Sequence, residues 1–172
     1  VGVQPTDSPG GGYSMALTDP DGFRVEVVAG QTPAPLLPLP INPPHNDAYG
    51  RSRLREPLWL TGGASSVVRL GHAVLEVRDF RTSEAWYKER FGFITSDEIQ
   101  AAPGLAIGAF MRCDRGDTPT DHHTLFLLQG PTAPRFMHAA FEVASVDDLM
   151  CGHDHLKNTG RKAAWGVGRH VL

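Results

Sequence analysis

The chain has 172 residues, 41% of them hydrophobic and 20% charged, the size and composition of one globular domain or slightly more. Its 16 basic and 19 acidic residues leave a net charge near −3, which excludes the basic footprint of a nucleic-acid binder and the polybasic patch of an anionic-membrane binder. No apolar run approaches the ~20 residues of a membrane-crossing helix, and Val1-Gly-Val-Gln-Pro5 lacks the basic and apolar regions of a signal peptide.

Residues 13–28 predict a β-hairpin. Tyr13, Met15 and Leu17 alternate with smaller residues, Asp19-Pro-Asp-Gly22 is a turn, and Phe23, Val25 and Val27 alternate against Arg24, Glu26 and Val28. A lone hairpin is marginal in water, so residues 1–30 are expected to close a larger sheet. Residues 31–66 read as a linker, because Pro33, Pro35, Pro38, Pro40, Pro43, Pro44 and Pro57 exclude a central strand or regular helix.

A new unit is expected from residue 67. Val67–Val77 is β-rich, with His72, Val74 and Glu76 on one face and Ala73, Leu75 and Val77 on the other. Asp79 is placed to cap a helix over 81–91, Gly92 to end it, and Trp86, Tyr87 and Phe91 to pack it on the sheet. Strands over 105–113 and 123–129 follow, so this first copy reads β-α-β-β, with room for one more short strand. Cys113 closes a strand and is expected to be a small buried hydrophobe. With Cys151 it forms neither a metal-type spacing nor a disulfide framework, which predicts a reduced, cytoplasmic setting.

The next segment repeats this order. A strand over 137–143 precedes Ser145-Val-Asp-Asp148, which resembles a capping box, then a helix over 146–158 stopped by Gly160, then a strand over 162–166. The two copies share a signature. His72-Ala-Val-Leu-Glu-Val77 returns 66 residues later as His138-Ala-Ala-Phe-Glu-Val143. A repeated strand opened each time by an imidazole points to a metal site built by internal symmetry, with His72 and His138 as ligands; two imidazoles alone do not select the metal. Glu76 and Glu142 lie four residues further along, roughly 13 Å away, too far to join their histidines. His153 and His155, two apart on a helix, point different ways and read as surface or packing residues.

Leu70-Gly-His-Ala-Val-Leu-Glu-Val77, Asp121-His-His-Thr-Leu-Phe-Leu127, Met137-His-Ala-Ala-Phe-Glu-Val143 and Gly168-Arg-His170 together resemble the vicinal oxygen chelate superfamily. Within it the likeness is to the type I extradiol ring-cleaving dioxygenases. The resemblance implies an α+β fold of paired βαβββ modules, with the N-terminal domain reduced to the hairpin of residues 1–30 and the last module truncated. The C-terminal metal-binding domain then covers 67–172, as module 67–130 and partial module 136–172.

The same resemblance implies an oxidoreductase that cleaves a catechol-type aromatic diol with O2 at mononuclear Fe(II), or Mn(II). His72 and His138 are then two metal ligands, and the third, a glutamate, is expected beyond Leu172. The chain as given is accordingly expected to bind metal poorly and to be inactive. His123 corresponds to the family's acid–base histidine, a role suited to a group that titrates near neutrality, whereas His122 alternates to the other face. His170 corresponds to a pocket histidine that contacts substrate. The intact protein is expected to be a homo-oligomer with no nucleic-acid or membrane partner. Alternatives are a glyoxalase-like lyase or isomerase of the same superfamily, and a metal-free small-molecule-binding module.

Overall fold

The computed structural model describes residues 2–38 and 62–169. Most of the proline-rich segment 31–66 and His170 lie outside the described residues. By contact the chain divides into two units, one formed by Val1–Leu36 with Leu70–Ala140, the other by Leu37–Arg69 with Phe141–Leu172.

The first unit opens on a three-stranded antiparallel sheet of β1 (Gln4–Pro5), β2 (Tyr13–Thr18) and β3 (Arg24–Ala29). The expected hairpin is present, with Thr18 paired to Arg24 and Tyr13 to Ala29. Its turn does more than reverse the chain. Asp19 Oδ1 accepts from the backbone N–H groups of Asp21 and Phe23, at 2.9 and 2.8 Å. Gly22 takes φ 94°, a conformation that disfavours any side chain.

The βαβββ module follows as β4 (Val67–Val77), α1 (Phe80–Phe91), β5 (Phe93–Ala102), β6 (Leu105–Cys113) and β7 (Leu125–Gln129). With β8 (Arg135–Val143) these strands form a sheet in the order β5-β6-β7-β4-β8. Parallel pairing of β4 with β7, Val74 beside Phe126, closes the module. The strand β5 has no counterpart in the alternation of the sequence. Register shifts between Thr95 and Asp97 and between Ile99 and Gln100 break the period of two that marks a strand.

The two faces of β4 separate as their alternation predicts. Leu75 and Val77 join Phe80, Tyr87, Ala109, Met111, Leu125 and Leu127 in a core beneath α1, with Trp86, Phe91, Phe23 and Val25 packed against it. Val74 lies on the other face with Phe110 and Phe126, whose rings stack at 4.0 Å. Asp79 caps α1 by accepting from Arg81 and Thr82 N–H, and Gly92 ends it at φ 66°. Cys113 departs from expectation: as the last residue of β6 it is exposed rather than buried, its Sγ 4.0 Å from Thr124 Oγ1.

Buried carboxylates fasten the hairpin to this module. Asp19 Oδ2 accepts from Tyr87 Oη at 3.1 Å, and Asp21 accepts from Arg78 N–H and Ser83 Oγ, both at 3.0 Å. Burial, then the Asp19 charge, pushes the Tyr87 phenol above its usual range. Inside α1, Glu84 is buried and accepts from Lys88 at 2.7 Å, Thr95 at 2.5 Å and Arg81 at 2.8 Å. Burial pushes the Glu84 carboxyl up, but those bonds outweigh it and hold it below the usual carboxylate range. A carboxyl depressed by folding stabilises the fold above its unfolded pKa of ~4.3 and loses that contribution as pH falls through its folded value. Glu84→Gln is therefore expected to flatten the loss of stability below about pH 4. Urea midpoints measured for both proteins across that range check it.

In the second unit, α2 (Val146–Asn158) spans the residues its pattern predicts. Ser145 caps it by accepting from Asp148 N–H at 3.1 Å. The return half of the capping box is replaced: the Asp148 carboxylate accepts from Ser66 N–H, and Ser65 Oγ donates to the Asp148 carbonyl at 2.9 Å. The helix comes so near this segment at Gly152 that a Cβ there would meet Ser65 Oγ at 1.8 Å. The strand expected over 162–166 does not form; these residues have no pairing partner among the described strands. Among the described residues, no helix is long and apolar enough to cross a membrane.

Candidate metal centre

His72 and His138 stand on neighbouring strands, β4 and β8, and their rings meet. The ring centroids are 5.6 Å apart with planes inclined at 71°. An imidazole nitrogen ~2.1 Å from a metal sets its ring centre a little over ~3 Å from the ion, so two ligands about 90° to 120° apart have centroids roughly 4.5 to 5.5 Å apart. The His72–His138 pair stands at the wide end of that spacing.

His123, just ahead of β7, stands 4.1 Å from His72 by ring centroid, tilted by 40°. That is a tilted ring contact, a few tenths of an ångström inside the ligand spacing. Its other neighbour is Phe110, edge-on at 4.9 Å, so the imidazole rests on the stacked Phe110–Phe126 floor. Burial, then the neighbouring charges of His72 and His122, pulls the His123 pKa down to about 4, with Asp121 acting against them. This departs from the titration near neutrality expected of an acid–base histidine: burial beside other imidazoles leaves the ring neutral, and a weaker base, near pH 7. His122 is exposed but does not turn to the other face: its ring also lies against Phe110, at 5.5 Å, and its Nδ1 is 3.1 Å from Nδ1 of His123, because both residues precede β7 and its alternation. His153 and His155 are far along the chain on α2, where His153 contacts Asp154 at 3.4 Å. His170, the remaining expected site residue, falls outside the described residues.

No carboxylate among the described residues completes a metal site with these rings. Among the described residues, no three His, Cys, Asp or Glu side chains converge to hold a metal ion. Glu76 is committed elsewhere. Its buried carboxylate accepts from Thr132 N–H at 2.9 Å, Thr132 Oγ1 at 2.5 Å and Arg135 at 2.6 and 3.2 Å. Those bonds, from Thr132 first and Arg135 second, hold its pKa below the usual range despite burial. Glu142 pairs with Arg69 at 2.5 Å. The described residues thus fit the imidazole portion of a two-histidine, one-carboxylate centre and leave the carboxylate unsupplied.

Two features of this site escape the sequence reading. The Phe110–Phe126 floor depends on cross-strand register, which sequence periodicity leaves unset. The Arg135–Glu76 pair had a signal: an arginine stands three residues before each repeated histidine, at Arg69 and Arg135.

Residues 69–172 match the Glyoxalase/Bleomycin resistance protein/Dioxygenase superfamily, and the chain belongs to it. It is 32% identical over 131 residues to a biphenyl-2,3-diol 1,2-dioxygenase of Paraburkholderia xenovorans (strain LB400), covering 72% of this chain and 42% of the relative. It is 33% identical over 108 residues to an iron-dependent extradiol dioxygenase of Rhodococcus jostii (strain RHA1), covering 59% of this chain and 35% of that one. Among solved structures, the Mn(II)-bound glyoxalase from Novosphingobium aromaticivorans is similar at TM-score 0.67 and 27% identity, over 98% of this chain and 45% of that chain. The chain thus spans less than half the length of each of these proteins.

Proposed function

We propose that this chain supplies His72 and His138 as two ligands, and His123 as acid–base group, of an extradiol dioxygenase centre that cleaves a catechol-type aromatic diol with O2. The observation that carries this reading is the meeting of the His72 and His138 rings at 5.6 Å with His123 beside them at 4.1 Å. Extradiol dioxygenases among its relatives, one of them iron-dependent, support the same class. Fe(II), or Mn(II), held by the two imidazoles would let electron density pass from a catecholate to dioxygen.

The remaining steps fall to the chain's own groups. His123 is placed to take a proton from the second hydroxyl of a diol seated over His72 and to return it as the ring opens. The Phe110–Phe126 stack beneath His123 keeps water from that side of the imidazole. His170 is assigned to the substrate side by the same reading. In that reading residues 1–30 close a preceding βαβββ-type domain and 67–172 form the metal-binding domain.

His123→Ala tests the assignment. In the intact protein that this reading supposes, with Fe(II) supplied and 2,3-dihydroxybiphenyl as substrate, oxygen uptake is expected to fall about 10²- to 10⁴-fold, the contribution typical of a positioned acid–base group. Metal content is expected to stay unchanged. A glyoxalase-like lyase or isomerase, which the likeness to the Mn(II)-bound glyoxalase favours, would show no diol-dependent oxygen uptake in either protein.

A further inference from the structure

We propose that Glu76 and Arg135 are positioning residues for the imidazole pair, fastening the start of β8 to β4 so that His138 is held against His72. The inference rests on reading that pair as a metal site, and extends it to residues that touch neither metal nor substrate. Glu76 lies four residues after His72 on β4; Arg135 lies three residues before His138 on β8. Their bonds at 2.6 and 3.2 Å therefore join the two strands that carry the imidazoles. Thr132 adds two more bonds to the same carboxylate and so fixes the loop that delivers β8. The fit is close. At Gly130 a Cβ would stand 2.4 Å from Glu76 Oε1, so only glycine lets the loop approach.

The internal repeat gives this pair a twin. Arg69 precedes His72 by three residues and Glu142 follows His138 by four, and these two are also bonded, at 2.5 Å. The repeated unit is thus Arg-x-x-His-Ala-x-x-Glu-Val, and each arginine reaches the glutamate of the other copy. Such exchange is the contact pattern of a two-fold interface, here written within one chain. The copies differ in burial: Glu76 has 5% of its side chain exposed, Glu142 49%. An exposed pair contributes little, so the Glu76 pair is assigned the positioning role.

The test uses the metal-free protein and Co(II) as the probe. The wild type is expected to show an imidazole-to-imidazole NOE between His72 and His138 and to bind Co(II). Arg135→Ala and Glu76→Gln are expected to lose the NOE and weaken Co(II) binding about 10- to 100-fold, as removal of supporting groups does at metal sites. Arg135→Lys is expected to recover most of both. The NOE between the stacked rings of Phe110 and Phe126 reports an intact fold in each variant. If Glu76→Gln does not fold, Arg135→Ala decides, because its side chain is more than half exposed. An unchanged His72–His138 NOE and unchanged Co(II) affinity in Arg135→Ala overturn the proposal, as does absence of that NOE from the wild type. An NOE present in the wild type and lost in Arg135→Ala, without Co(II) binding in either, upholds the positioning role and removes the metal reading instead.

Discussion

Alanine at His72 or at His138 is expected to abolish measurable Co(II) binding. Each substitution leaves one imidazole of a pair whose spacing matches two ligands around one ion. Loss of a mere supporting partner costs about 10- to 100-fold in metal affinity, and loss of a ligand costs more. Wild-type affinity should itself be modest, since Glu76 and Glu142 are bonded to arginines rather than aimed at the imidazoles. His123→Ala should leave binding nearly unchanged if, as proposed, its tilted ring contact with His72 serves proton transfer and not ligation. Spectrophotometric Co(II) titration of the three variants separates ligands from neighbour. Equal losses at all three positions would refute the assignment of His123 to proton transfer.

Asp21→Ala is expected to cost about 3 to 6 kcal/mol of stability, from two hydrogen bonds to a carboxylate at ~1.5–3 kcal/mol each. Its side chain is 3% exposed, and the partners it would abandon are Arg78 N–H and the Ser83 hydroxyl, Ser83 being fully buried. The ion pair with the Arg78 guanidinium adds little, because that side chain is 60% exposed. The loss is a large share of the ~5–15 kcal/mol that typically holds a domain together. Asp21→Asn keeps an acceptor for Arg78 N–H and should cost markedly less. Urea unfolding of both variants measures the difference; equal stability of Asp21→Ala and wild type would mean the hairpin is not held by this turn.

The sequence made the two helices, the hairpin and the facing of β4 legible because each rests on a local signal. Asp79 with Gly92 bounded α1, and Ser145 set the start of α2. Alternation placed His72 with Val74 and Leu75 with Val77. What stayed hidden depends on neighbours distant in sequence. Strand β5 is masked by its register shifts. Residues 162–166 have a strand-like run but no strand to pair with among the described residues. Cys113 has the composition of a core residue at the frayed end of β6. For the site, the repeat pointed to His72 and His138, and spacing excluded Glu76 as a ligand. The partners of Glu76 emerged only with the loop 130–135 in place.

The buried aspartates of the hairpin turn also set a timetable for the ribosome. Asp21 and Arg78 are 57 residues apart. At ~5–20 residues per second, synthesis of that interval takes roughly 3 to 11 s. Until Arg78, Ser83 and Tyr87 emerge, the nascent hairpin has none of these docking partners, and so small a sheet, with only the two-residue β1 beside it, is at best marginal alone. Its strands are therefore open to pairing with other chains for seconds, a hazard in crowded translation. The turn carboxylates, still hydrated during that wait, keep its tip charged and soluble until α1 arrives to cover it.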